Sequence, residues 1–175
     1  MSLGLAVAKG GSIFLAAESQ GLSSKVLPSK IISLQDSPTL AMIVTGGLEH
    51  WRDVKNSYKP QLSIESARDE VVQLLNKFTG PSNQAFALLC GFNGVNPVCY
   101  RIGRLVGSSQ TTIANASLTT VQGIGIPGHA SAATVNAKTA LANQVDPELA
   151  LRQAIESRMP ASGLAMPIET TSIKR

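Results

Sequence analysis

The sequence predicts an α+β fold: a four-layer αββα sandwich, with two antiparallel sheets between helix pairs. Three features point there. Short apolar runs broken by glycine turns open the chain, helical patterns come in consecutive pairs, and a second block of apolar runs separates the pairs. A parallel doubly wound sheet needs helices that alternate with single strands, and this order excludes it. At 175 residues, 43% hydrophobic and 15% charged, the chain fits one domain over residues 1–175, well away from the composition of disorder.

The elements follow in order. Leu3–Ala8 and Ser12–Ala17 are apolar runs joined by Lys9-Gly10-Gly11, which reads as a hairpin. Lys30–Leu34 and Leu40–Thr45 make two more short strands around the turn residues Asp36, Ser37 and Pro38. Gly46-Gly47 then breaks the strand, and Leu48–Tyr58 forms a helix ending before Pro60. From Ser63 a clearer helix begins, with Ile64, Ala67, Val71, Leu74, Leu75 and Phe78 at helical spacing and Gly80-Pro81 as its stop. Gln84–Gly91 and Pro97–Gly103 are strands linked through Asn93-Gly94, the strongest short turn signal in the chain. Residues 111–126 read as extended. The Ala-rich stretch His129–Asn143 is helical, with Ala133, Ala137, Ala140 and Leu141 lining one face. Asp146 caps a fourth helix with Pro147 at its first position, and a last strand lies within Ala165–Ile173.

Composition and spacing exclude several functions. The net charge of +4 invites nucleic acid, but the lysines stand singly and only 4% of residues are aromatic, so the charges read as solvated faces. Cys90 and Cys99 suggest neither a disulfide framework nor a metal site, and His50 and His129 have no further ligands at useful spacing. Gly123-x-Gly125-x-x-Gly128 matches a dinucleotide-binding loop. That motif needs a βαβ unit, and here the helix leads to a second helix at Asp146. No cofactor or metal is therefore expected. The chain shows no secretory signal, and apolar stretches such as Leu40–Val44 are too short for a bilayer. A reduced, cytoplasmic protein is expected.

With no Ser-His-Asp order and no G-x-S-x-G elbow, the N-terminus remains as a source of chemistry. Ser2 becomes terminal once Met1 is removed. A hydroxyl needs a base, and an N-terminal residue carries its own in the α-amine, whose pKa of ~7.7–8.0 suits neutral pH. A nearby Lys would lower the pKa of both groups, and that Lys needs a carboxylate to hold it.

Ser2-Leu3-Gly4-Leu5-Ala6-Val7, followed by Gly11 and Ala16-Ala17-Glu18, resembles the opening of proteasome β-type subunits and their bacterial N-terminal-nucleophile (Ntn) hydrolase homologues. Lys30-Ile31-Ile32 is similar to the strand carrying that family's catalytic Lys. Thr45-Gly46-Gly47 is similar to the Gly pair whose first amide lines the oxyanion hole. Leu88-Leu89-Cys90-Gly91-Phe92-Asn93-Gly94 through Cys99-Tyr100-Arg101-Ile102 resembles the family's strand–turn–strand, with Asn93 where Asp is usual. The resemblance covers nearly the whole chain and implies the same four-layer sandwich.

The resemblance further implies Ser2 as nucleophile, Lys30 tuning it, Glu18 holding Lys30 in place of the family's Asp, and the Gly46 amide binding the oxyanion. The family's Gly-Ser-Gly loop is altered. Matching the glycines puts Ile124 at its Ser, whereas counting back from Leu141 puts His129 there with Ser131 close by. Residues 157–167 hold no Asp to match the family's late acid. The implied function is a threonine/serine-type endopeptidase or amidase acting on peptides or unfolded chains. It would work inside a homo-oligomeric ring, in company with an ATP-dependent unfoldase. The alternatives are an inactive proteasome-like scaffold subunit and a small-molecule amidohydrolase of the same superfold.

Overall fold

Leu3, Leu5 and Val7 alternate with Gly4 and Ala6, and this period of two sends the larger side chains to one face of the first strand. The computed structural model describes residues 3–18, 29–80, 83–159 and 168–175. β1 (Leu3–Lys9) and β2 (Ser12–Glu18) form the expected hairpin, in register Gly4 with Ala17 and Lys9 with Ser12. β8 (Gln122–Gly125) pairs with β1 and β9 (Ile168–Lys174) with β2, giving an antiparallel sheet of order β8-β1-β2-β9.

The second sheet has the order β3-β4-β5-β6-β7, with β3 (Ile31–Asp36), β4 (Thr39–Gly46), β5 (Ala85–Asn93), β6 (Asn96–Arg104) and β7 (Thr112–Ala116). The continuous extension expected over 111–126 divides here. β7 pairs with β6, the chain turns at Leu118–Thr120, and β8 pairs with β1 in the other sheet. Ala8 N–H donates to the Leu118 carbonyl at 2.9 Å, and the Leu118 side chain is buried between the sheets; both contacts hold the crossing point.

α1 (Leu48–Ser57) and α2 (Ile64–Phe78) cover the second sheet, burying Trp51, Val54, Ala67, Val71 and Leu75 against Leu40, Met42, Val44, Ala87 and Leu89. The Ser63 side chain caps α2 by accepting from Ser66 N–H. α3 (Pro127–Ala142) and α4 (Pro147–Glu156) cover the first sheet through Ala130, Ala133, Ala137, Leu151 and Ile155. α3 starts two residues before the expected His129, because Pro127 fits the first helical position. Asp146 caps α4 through Leu149 N–H.

Between the sheets lie Ala6, Ile13, Leu15, Ala17, Ala41, Ile43, Leu88, Cys90 and Cys99. Alternation explains the division: Leu40, Met42 and Val44 face the helices, while Ala41 and Ile43 face the other sheet. The four layers are those the sequence predicts. Among the described residues no helix is long and apolar enough to cross a membrane.

Candidate active site

Strand registers bring several chain positions to one end of the sandwich. Leu3 opens β1 opposite Gly125 of β8, Glu18 closes β2 opposite Ile168 of β9, and Lys30 stands just before β3. Gly46 closes β4 at the same end, since Val44 N–H donates to the Lys30 carbonyl at 2.9 Å. Ser2 lies outside the described residues; its chain neighbour Leu3 is buried at this end.

Lys30 and Glu18 meet in an ion pair, Nζ donating to Oε1, and both residues are 1% exposed. Burial pushes the Glu18 carboxyl above its ordinary value, against the opposing pull of Lys30. Burial likewise pulls the Lys30 ammonium below its ordinary value, opposed by Glu18 and more weakly by Glu169. The Leu3 backbone lies close enough to Glu18 to lower its pKa, yet Glu18 Oε2 completes no hydrogen bond among the described residues.

Gly46 earns its identity from two constraints. Its φ of +87° favours glycine, and a Cβ there would stand 2.4 Å from the Gln84 carbonyl oxygen. Its amide direction follows from the ladder. Gly47 N–H donates to Gln84 at 3.0 Å, so the odd-numbered amides of this part of β4 face β5 and the even-numbered ones face β3. Gly46 N–H therefore points to the same side as Val44 N–H, one step beyond Lys30.

An open cleft of about 1010 Å³ runs from Gly46 across to β8 and the start of α3. Gly46 and Ser131 both line it, and Ser131 is exposed. His129 sits half-buried in the first turn of α3 and does not line the cleft; its Nδ1 is buried without a hydrogen-bond partner among the described residues. The alternative loop position, Ile124, packs into the inter-sheet core. Gly123 is explained by packing, since a Cβ there would meet Thr134 Oγ1 at 2.6 Å. Among the described residues no three His, Cys, Asp or Glu side chains cluster to hold a metal.

One contributor escaped the sequence reading. Glu169 opposes Ala17 in register, and its carboxylate accepts from Ser29 Oγ, tying β9 to the residue before Lys30. Ser29 Oγ also accepts from Ile31 N–H at 3.0 Å. Nothing local in Ile168–Lys174 signals this role, because the contact joins residues 140 apart in the chain. Cys90 and Cys99 hold a second unexpected pairing: they oppose each other across β5 and β6 with Sγ atoms 3.5 Å apart, both as free buried thiols.

No family model matches this chain, and no curated protein matches it. Among solved structures it is similar to Thiobacillus denitrificans BPH in complex with epoxomicin, with a TM-score of 0.68, 17% identity and 98% of both chains covered. The likeness is one of fold, the four-layer sandwich of two antiparallel sheets between helix pairs.

Proposed function

We propose that the chain is an N-terminal-nucleophile peptidase or amidase of proteasome type, with Ser2 as its nucleophile after Met1 is removed. The buried Lys30–Glu18 pair at the start of β1 carries this reading. An ion pair in that setting is costly to bury, and packing alone gives no reason for it. Placed beside the chain's N-terminal end, a Lys supplies the positive charge that makes a hydroxyl and an amine better at their tasks.

In the mechanism, Ser2 Oγ attacks the amide carbonyl while the Ser2 α-amine takes the hydroxyl proton. The carbonyl oxygen becomes an anion and accepts a hydrogen bond from Gly46 N–H, whose direction is fixed by the β4 ladder. The amine then passes its proton to the leaving nitrogen, the C–N bond breaks, and an ester remains on Ser2. Water, deprotonated by the same amine, attacks that ester and restores Ser2. The open cleft beside Gly46 gives a peptide room to lie. Proteasome-type architecture extends the reading to work inside a ring of identical copies, with an ATP-dependent unfoldase supplying substrate.

Epoxomicin, bound by the similar solved structure, is a proteasome inhibitor. An epoxyketone closes a ring on a terminal residue that has both a free amine and a hydroxyl. Intact mass after incubation with an epoxyketone tests the site: a single adduct that is lost in Ser2→Ala supports it. Unchanged hydrolysis in Ser2→Ala would falsify it. A rival reading, a non-catalytic scaffold of the same fold, draws on Ile124, which puts an apolar core residue at one of the loop positions where a polar one is expected. Retained Met1 on the purified chain, with no adduct, would select it.

A further inference from the structure

The cleft beside Gly46 carries one charged side chain among the described residues that line it, Arg101. Around it the wall is neutral, with Phe86, Ile126, Ser131 and Thr134 as typical contributors. Arg101 projects from β6 and is exposed; its Nη2 donates to the Gly123 carbonyl of β8 at 3.1 Å. That contact uses one of five guanidinium donors and steers the group across the gap between the sheets. No second acceptor for it occurs among the described residues, so the rest of the fork is available to a ligand. A planar fork of this kind matches a carboxylate with two parallel hydrogen bonds.

Its separation from Gly46 can be read off the sheet. Arg101 opposes Leu88, and Leu88 opposes Ile43, three residues before Gly46 on β4. Two strand intervals give ~10 Å across and three residues give ~10 Å along, so the two backbones lie about 14 Å apart. A substrate Glu side chain covers part of that span. Two or three residues of extended peptide, at ~3.3 Å each, cover the remainder.

We infer that Arg101 is a specificity-determining residue of the cleft, which takes peptides bearing a carboxylate two or three residues from the carbonyl seated at Gly46. This inference rests on the peptidase reading of the cleft and adds a substrate class to it: acidic peptides. A peptide with Glu at that distance would form the bidentate pair, and its Gln counterpart would lose the charge and the second bond.

The test measures binding rather than turnover, on the Ser2→Ala chain, so that no peptide is consumed. Two sets of N-acetylated, C-amidated hexapeptides differ only in Glu or Gln at each position in turn. Their binding is followed through the Arg101 Nε–Hε resonance and backbone amides. The expected result is one position at which Glu binds about 10- to 100-fold tighter than Gln. Arg101→Gln should abolish that preference, weakening the Glu peptide far more than the Gln peptide, which separates recognition from a merely structural contact with Gly123. Equal binding of the two sets, binding of neither, or a preference that survives Arg101→Gln would overturn the inference. A cleft that discriminates in this way while the native chain hydrolyses nothing leaves the carboxylate recognition standing and removes only the peptidase reading.

Discussion

The Lys30 ammonium reaches across from the second sheet to donate to Glu18 Oε1 at the end of the first. Removing one member of a buried pair strands the other charge, which typically costs ~3–5 kcal/mol. Lys30→Met should therefore destabilise the chain by about that amount in urea denaturation. The double variant Glu18→Gln/Lys30→Met should recover most of the loss, because neither charge then needs solvation. A double variant no more stable than Lys30→Met alone would show that the pair is net stabilising, and strictly additive losses would show that the two residues do not interact.

The two pKa shifts give a pH dependence of definite sign. Glu18 is raised from 4.5, so the native state holds that proton more tightly than the unfolded chain does. Its contribution to stability is present below 4.5 and is lost as pH rises through the native value. Lys30 is lowered from 10.5, so its contribution is present above 10.5 and is lost as pH falls through the native value. Relative to Glu18→Gln/Lys30→Met, the native chain should therefore gain stability as pH falls toward 4.5 and as it rises toward 10.5. A maximum at neutral pH would mean that attraction outweighs burial.

Gly46→Ala should cost more than other glycine replacements. Gly46 combines φ +87° with the Gln84 carbonyl 2.4 Å from any added Cβ, whereas Gly94 has φ +59° and open space around it. The backbone term alone is about 1–2 kcal/mol, as expected for Gly94→Ala. Crowding should bring Gly46→Ala to roughly 2–4 kcal/mol and also displace its amide. Equal melting shifts for the two variants would show that β5 yields freely at Gln84.

Glu169 supports the Lys30 charge from β9. Glu169→Gln should lower the Lys30 pKa further, read directly by following its Cε and Nζ resonances against pH. Ser29→Ala releases the carboxylate without removing it and should shift the titration less. No change in Glu169→Gln would reduce the Ser29 contact to a structural pin.

The Cys99 thiol, and burial after it, push the Cys90 thiol well up. Alkylation at neutral pH should accordingly be slower in the native chain than in urea by on the order of 100-fold. Fast native labelling of both thiols would mean that the β5–β6 hairpin opens locally.

Much of the fold was legible because its signals are local. Gly10-Gly11 and Asn93-Gly94 mark two hairpins, while Ser63 and Asp146 cap the helices they precede. The unbroken apolar run Leu40–Val44 describes a strand buried on both faces. The split between β7 and β8 was hidden, since Thr, Ile, Val and Gly suit an extended backbone whichever sheet it joins. At the site, Glu18 and Lys30 came from a resemblance in spacing, and the structure brings them into contact. Ser29, Glu169 and the facing cysteines came from register alone, which depends on the whole sheet.

Register also places Lys174 opposite Ser12, beside the Gly10-Gly11 turn. The last residues of β9 therefore leave the sandwich about 20 Å, seven residues of β2, from Glu18 and the opening of β1. Purification tags, fluorophores or surface tethers joined after Arg175 emerge at the far pole, away from the Lys30–Glu18 pair.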